Sequence, residues 1–164
     1  MIKNVKPIFV VLVFSSLFSF SFNKRSTSTE KLALGDQAPE LAIGNDKQLL
    51  NLRNLKQEYT LLSFWASYDA SSRMENAKMN HLVANSARVK MISISFDSYK
   101  SVYQAAIRQD GVNASDCHWE MEGENSEIFT SYDLEGGFKN YLVDKDGVIV
   151  AKNLTADQLV SYLN

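Results

Sequence analysis

Tyr59–Ala66 is a continuous apolar run of strand length, and Val89–Phe96 is a second strong strand candidate. The continuity of the first fits a strand buried on both faces, as in the interior of a parallel sheet. In the second run Ile92, Ile94 and Phe96 share one face. Ser67–Ser72 is a polar break, and a helix is predicted from about Ser71 to Ala87, with Met74, Ala77, Met79 and Leu82 toward the core. Tyr99, Val102, Tyr103, Ala106 and Ile107 recur at helical spacing, which makes 98–109 an amphipathic helix stopped by Asp110–Asn113.

Further on, a short strand is expected at His118–Trp119 and a short helix near 125–131. The apolar stretches 138–143 and 148–151 flank Asp144–Gly147, a hairpin signal. Thr155 and Gln158 have the spacing of a capping box, and Leu154 can staple to Leu159 across the first turn of a last helix. Upstream, Gly35–Pro39 is turn chemistry and Leu41–Ile43 a short strand candidate. Helix and strand alternate from 59 to about 140, and a hairpin and a helix follow. The pattern predicts an α/β domain with a central mixed β-sheet flanked by helices on both faces.

Composition narrows the class. The chain has 164 residues, 45% apolar and 22% charged, with a formal charge of −2, which suits one ordinary globular domain. A pI near 5.7 gives no electrostatic footprint for nucleic acid. The single cysteine, Cys117, cannot close an intramolecular disulfide, and two histidines cannot build a standard zinc site. No metal and no cofactor are expected.

The amino-terminal residues read as an address. Lys3 and Lys6 precede sixteen uncharged residues, Pro7–Phe22, and a polar exit begins at Asn23. This is the order of a secretory signal, with Ser19–Ser21 as a tolerable cleavage site. At about 1.5 Å per residue the apolar run falls short of a bilayer core of roughly 30 Å, so 1–21 is assigned to a signal peptide, with an uncleaved anchor as the alternative. Membrane association is expected only if that segment is retained. Its removal takes two lysines and no acid, moving the formal charge from −2 to −4. Residues 22–34 then read as a linker and 35–164 as the domain, exported to the periplasm or secreted.

The stretch Phe64–Arg73, reading FWASYDASSR, resembles the active-site segment of thioredoxin-like proteins, most closely the exported TlpA-like thiol–disulfide oxidoreductases and the related thiol-specific antioxidant group. Gly35–Pro39 is similar to that family's domain opening. Tyr132–Gly136 and Tyr141–Gly147 are similar to its second half. The likeness spans about 35–164 and implies a thioredoxin-like fold.

The departures fall on the chemistry. Family members attack disulfides with the first cysteine of a Cys-x-x-Cys, its thiolate stabilised at a helix amino terminus, and resolve the product with the second. Here those places hold Asp69 and Ser72, with Ala70 and Ser71 between. The family's cis-proline position falls on Phe138, after Gly136 and Gly137, and no proline exists beyond Pro39. A cis bond costs about 2.5–4 kcal/mol at a non-proline residue, so a trans bond is expected before Phe138, with its ring over the groove where a substrate peptide would lie. The resemblance and these losses together imply a binding protein without dithiol chemistry. Its partner is expected to be a polypeptide held by Trp65, Tyr68, Asp69, Arg73, Gly137 and Phe138, and no catalytic residue is expected.

The remaining polar residues have ordinary roles available. Asp69 suits a helix N-cap. A hydrolytic site with Ser71 or Ser72 would need a base; His81 lies nearly three turns along the same helix, and His118 could approach only through the fold. Cys117 is expected to pack beside Trp119, the alternative being an exposed thiol that still carries out thiol exchange alone. Glu120, Glu122, Glu124 and Glu127 read as a solvated loop rather than a cation or basic-partner site.

Overall fold

The computed structural model describes residues 31–44 and 48–163. The segment assigned above to a signal peptide and most of the linker lie outside the described residues. The elements in chain order are β1 (Leu41–Ile43), β2 (Gln48–Leu50), β3 (Tyr59–Trp65), α1 (Ala70–Val83), β4 (Val89–Ser95), α2 (Lys100–Asp110), β5 (Cys117–Trp119), α3 (Glu127–Ser131), β6 (Asn140–Asp144), β7 (Ile149–Lys152) and α4 (Ala156–Leu159). Strands β3 to β7 form one mixed sheet in the order β5-β4-β3-β6-β7. The first three run parallel, while β6 runs antiparallel to β3 and to β7.

The two apolar runs occupy the middle of this sheet, and their period of two divides the core. Leu62, Phe64, Ile92 and Ile94 point to a layer shared with Leu41, Phe96, Ile128, Phe129, Tyr132 and Tyr141. Leu61 and Met91 face the other way, against Met79 and Val83 of α1 and Leu159 of α4. Trp65 joins Tyr103, Ala106 and Ile107 of α2 on that same side. Both sheet faces are therefore covered, as central parallel strands without polar alternation require.

Helix α1 departs from the pattern read in its sequence. Its buried residues are Asn76, Met79, Asn80 and Val83, whereas Met74 is 52% and Leu82 39% exposed. Hydrogen bonds override apolar spacing here. Trp65 Nε1 donates to Ser93 Oγ at 2.8 Å, and Ser93 Oγ donates to Asn76 Oδ1 at 2.7 Å. Asn80 Oδ1 accepts the Asn113 amide at 3.1 Å. An asparagine buried without such partners would cost on the order of 1–3 kcal/mol, so these two residues set the helix's rotation. The helix also ends at Val83, four residues short of the expected end.

Smaller differences have local causes. Strand β2, unforeseen in the sequence, pairs antiparallel with β1 through Leu41–Leu50. Tyr99 caps α2 from outside and is 70% exposed, so the buried face of α2 is Tyr103, Ala106 and Ile107. Gly111 closes that helix with φ +64°, a left-handed position suited to glycine. Strand β6 begins at Asn140 and leaves Phe138 in the preceding loop. Residues 31–34, read as linker, are fastened to the domain: Leu32 packs on the core, its carbonyl accepts from Lys152, and Lys31 pairs with Glu135. The capping box at Thr155 and Gln158 forms as expected, and Leu159 is fully buried.

The rotation of α1 is open to direct measurement. Met79→Ala should lower the unfolding free energy by about 2–5 kcal/mol in urea titrations, while Met74→Ala should stay within about 0.5 kcal/mol of wild type.

Candidate functional site

The carboxyl ends of the parallel strands form one row, with Trp65 beside Ser95 and Ser95 beside Trp119. Open α/β sheets place ligands at this edge, and α1 begins there. Asp69 is extended at φ −97° and ψ 99°, and its carboxylate accepts the Ser72 amide at 2.7 Å. Ser72 Oγ donates to the Asp69 carbonyl at 3.2 Å, and the Arg73 amide donates to the same oxygen at 3.0 Å. Asp69 is thus a helix N-cap, its side chain committed to the orphan Ser72 amide near the positive end of the helix dipole.

Tyr68 and Phe138 meet over this edge. Their ring centroids lie 6.1 Å apart, and Phe138 stacks on Phe96 at 5.8 Å and 28°. Phe129 meets Phe138 edge-on at 6.4 Å. Tyr68 is 61% exposed, and its hydroxyl donates to Glu124 Oε1 at 2.7 Å. Partial desolvation and the adjacent Glu124 push its pKa well above the ordinary tyrosine value. Gly136 and Gly137 supply the path for Phe138, Gly137 at φ +117°. Every peptide bond among the described residues is trans, including the one before Phe138. Beside Phe138 lies a groove of about 170 Å³, lined in part by Ser72, Lys139, Asn140 and Asn153.

Two residues expected on this face are elsewhere. Trp65 is fully buried, its indole held by Ser93 and its ring 6.4 Å from Tyr103, because strand alternation turns it under α2. Arg73 turns along the helix to the end of α2, making two bonds to the Asp110 carboxylate at 2.7 and 2.8 Å and one to Gln109. It borders a separate groove of about 470 Å³ with Ser67, Ala70, Met74 and His81. The structure therefore brings together Tyr68, Asp69, Gly137 and Phe138 and removes Trp65 and Arg73.

The only thiol is inside. Cys117 is 7% exposed, among Trp65, Tyr103, Ala106 and Ile107. Burial raises its pKa above the free value, with Asp116 adding to the rise and a hydrogen bond with Ser93 opposing it. The same burial pushes the Tyr103 phenol up to about 12, its hydroxyl donating to the Cys117 carbonyl at 2.8 Å. Neither histidine is placed as a base for the serines: His81 Nε2 is 3.0 Å from the Asp110 carbonyl, and His118 is half-buried in β5 with its pKa lowered by desolvation. Among the acidic residues, Glu120 accepts the Glu122 amide and Glu124 holds Tyr68.

Sequence reasoning overlooked Asp97. It is 2% exposed at the end of β4 and accepts from Ser67 and Ser95. The one signal was a carboxylate directly after the apolar run ending at Phe96, a place where charge is seldom buried without partners.

The fold has close counterparts among solved structures. A thioredoxin-like protein from Parabacteroides distasonis is 35% identical, superimposes with a TM-score of 0.73, and is matched over 80% of this chain and 94% of its own. A thiol–disulfide oxidoreductase from Bacteroides fragilis is 25% identical, with a TM-score of 0.62 over 77% of this chain and 96% of its own. The thioredoxin domain of a thiol–disulfide oxidoreductase from Bacteroides vulgatus, 24% identical with a TM-score of 0.65 over 81% and 99%, shares the fold. No family model matches the sequence, and no curated protein does. The chain belongs to the thioredoxin-like family.

Burial of Cys117 predicts slow chemistry at its sulfur. Labelling by a soluble aromatic disulfide at pH 7 should run at least about 100-fold slower in the folded protein than in urea, because the thiolate is the reactive form. A thiol pKa raised by folding also gives stability that is complete below the unfolded value of about 8.5 and is lost as pH rises through the folded pKa. Alkaline urea titrations should show a loss that begins at lower pH in wild type than in Cys117→Ala, where only the raised tyrosine phenols still contribute.

Proposed function

We propose that this chain is an exported, TlpA-like member of the family that has given up dithiol exchange and binds a polypeptide at the edge formed by Tyr68, Asp69, Gly137 and Phe138. One observation carries the reading. The first turn of α1 presents Asp69, Ala70, Ser71 and Ser72 where the family resemblance calls for Cys-x-x-Cys, and the Asp69 carboxylate is occupied by the cap. Disulfide exchange needs a thiolate that attacks one sulfur and expels another. A carboxylate and a serine hydroxyl have no equivalent reaction, so the surface keeps the shape of a substrate site without its nucleophile.

The same edge has what a polypeptide site uses. An exposed aromatic ring and a second ring packed below it offer apolar area with fixed geometry, as binding hot spots do, and the adjoining groove adds polar groups from Ser72, Lys139 and Asn140. Phe138 covers the place of the family's cis-proline and adds ring area there. Export rests on the amino-terminal sequence, with its basic start and apolar run. The alternative of exchange through Cys117 alone has no structural support, since the thiol is buried and its pKa raised.

Disulfide-reductase turnover, measured beside a dithiol thioredoxin control, should be absent in wild type and in Cys117→Ser. Turnover lost only in Cys117→Ser would make Cys117 the site and overturn the reading. With reduced, carboxymethylated lysozyme as an unfolded polypeptide probe, Tyr68→Ala or Phe138→Ala should weaken binding roughly tenfold, the scale of an aromatic hot spot. Unchanged affinity in both would remove the binding site from this edge.

A further inference from the structure

Among the described residues Asp97 is the one deeply buried carboxylate, and its bonds gather three segments. Its Oδ1 accepts the Ser67 amide at 2.9 Å and the Ser67 hydroxyl at 2.5 Å, and its Oδ2 accepts the Ser95 hydroxyl at 2.8 Å. Ser95 Oγ accepts the Asp97 amide at 3.1 Å in return. The Asp97 carbonyl accepts Trp119 Nε1 at 2.6 Å. One residue at the end of β4 therefore holds the β3–α1 loop through Ser67 and the end of β5 through Trp119.

Those two segments carry the partners on the exposed edge. Ser67 directly precedes Tyr68, and Trp119 opens the loop that reaches Glu124, which accepts the Tyr68 hydroxyl. The loop is seated on β4 besides, with the Glu120 amide donating to the Ser95 carbonyl at 2.8 Å. Within the loop the Asp69 amide donates to the Ala66 carbonyl at 3.1 Å, and the Asp69 carbonyl ties the loop to the first turn of α1 through the Arg73 amide at 3.0 Å. A burial so complete is rare for a carboxylate unless every oxygen is engaged, and both oxygens are.

We infer that Asp97 is a positioning residue for the proposed edge: its carboxylate clamps Ser67 while its main-chain carbonyl holds Trp119, and together these fix Tyr68 against Phe138 and within reach of Glu124. The inference rests on the function proposed above only for its binding consequence; the placement of Tyr68 is independent of any ligand. Hydrogen bonds to a carboxylate are stronger than those to a neutral amide. An isosteric amide at 97 also presents a donor to Ser95 Oγ, leaving the Ser95 proton without its acceptor.

The test uses Asp97→Asn, Ser67→Ala and Ser67→Thr in ¹⁵N- and ring-labelled protein. In Asp97→Asn and Ser67→Ala, exchange of the Ser67 and Asp69 amides should quicken roughly tenfold, as expected from weakening a charge-assisted bond. Tyr68 and Phe138 ring resonances should move in both, while those of Tyr141 and Tyr132 stay in place. Ser67→Thr keeps the hydroxyl and should return both signals toward wild type, a rescue that a general packing role would not produce. If Asp97→Asn does not fold, the Ser67 pair decides. Unmoved Tyr68 and Phe138 rings in Ser67→Ala, with amide exchange unchanged, would overturn the inference. With the lysozyme probe, loosened loops should weaken binding about tenfold alongside the ring shifts. Ring shifts without any wild-type binding would leave the positioning role intact and defeat the proposed function instead.

Discussion

The chain of hydrogen bonds from Trp65 through Ser93 to Asn76 decides how α1 lies on the sheet, and the place of its first turn beside Tyr68 follows from it. The indole N–H is buried with the strand that carries it and must find an acceptor, or the cost falls on the whole domain. Ser93 on the neighbouring strand supplies it, and Asn76 accepts the Ser93 proton in turn. Once Asn76 must point inward, the rotation of α1 is set and its first turn is delivered to the strand ends. Asn80 repeats the constraint one turn later through the Asn113 amide.

This explains where the sequence was informative and where it was not. The first central strand was legible because burial on both faces leaves a continuous apolar run, and the second because Ile92, Ile94 and Phe96 share one face. The terminal helix was legible because Thr155 and Gln158 are local partners. Helix α1 was placed but mis-rotated: its inward residues include two asparagines whose partners, Ser93 and Asn113, come from distant sequence. Strand β2 was invisible for a related reason, since its pairing with β1 gives Leu49 no burial to mark it.

At the candidate site the residues were found more readily than their directions. Asp69, Tyr68, Gly137 and Phe138 gather at the edge as their alignment with the family's active segment implied. Trp65 and Arg73, taken from the same stretch, do not. A two-residue period sends Trp65 beneath α2, and the carboxylate of Asp110, thirty-seven residues onward, draws Arg73 aside. Asp97 was missed because a single buried acid leaves no periodic trace. What identified it was the set of donors converging on it, which exists only in three dimensions.

The enclosure of Cys117 bears on time as well as on reactivity. A protein that forms a mixed disulfide with its client stays attached until a second thiol arrives, so the lifetime of the pair depends on the redox supply of its surroundings. With its one thiol buried among Trp65 and Tyr103, the folded chain keeps that group away from such a bond. A complex formed at the proposed edge would be held by surface contact and end by simple dissociation, at a rate set by the fit of the two surfaces and indifferent to oxidants and reductants.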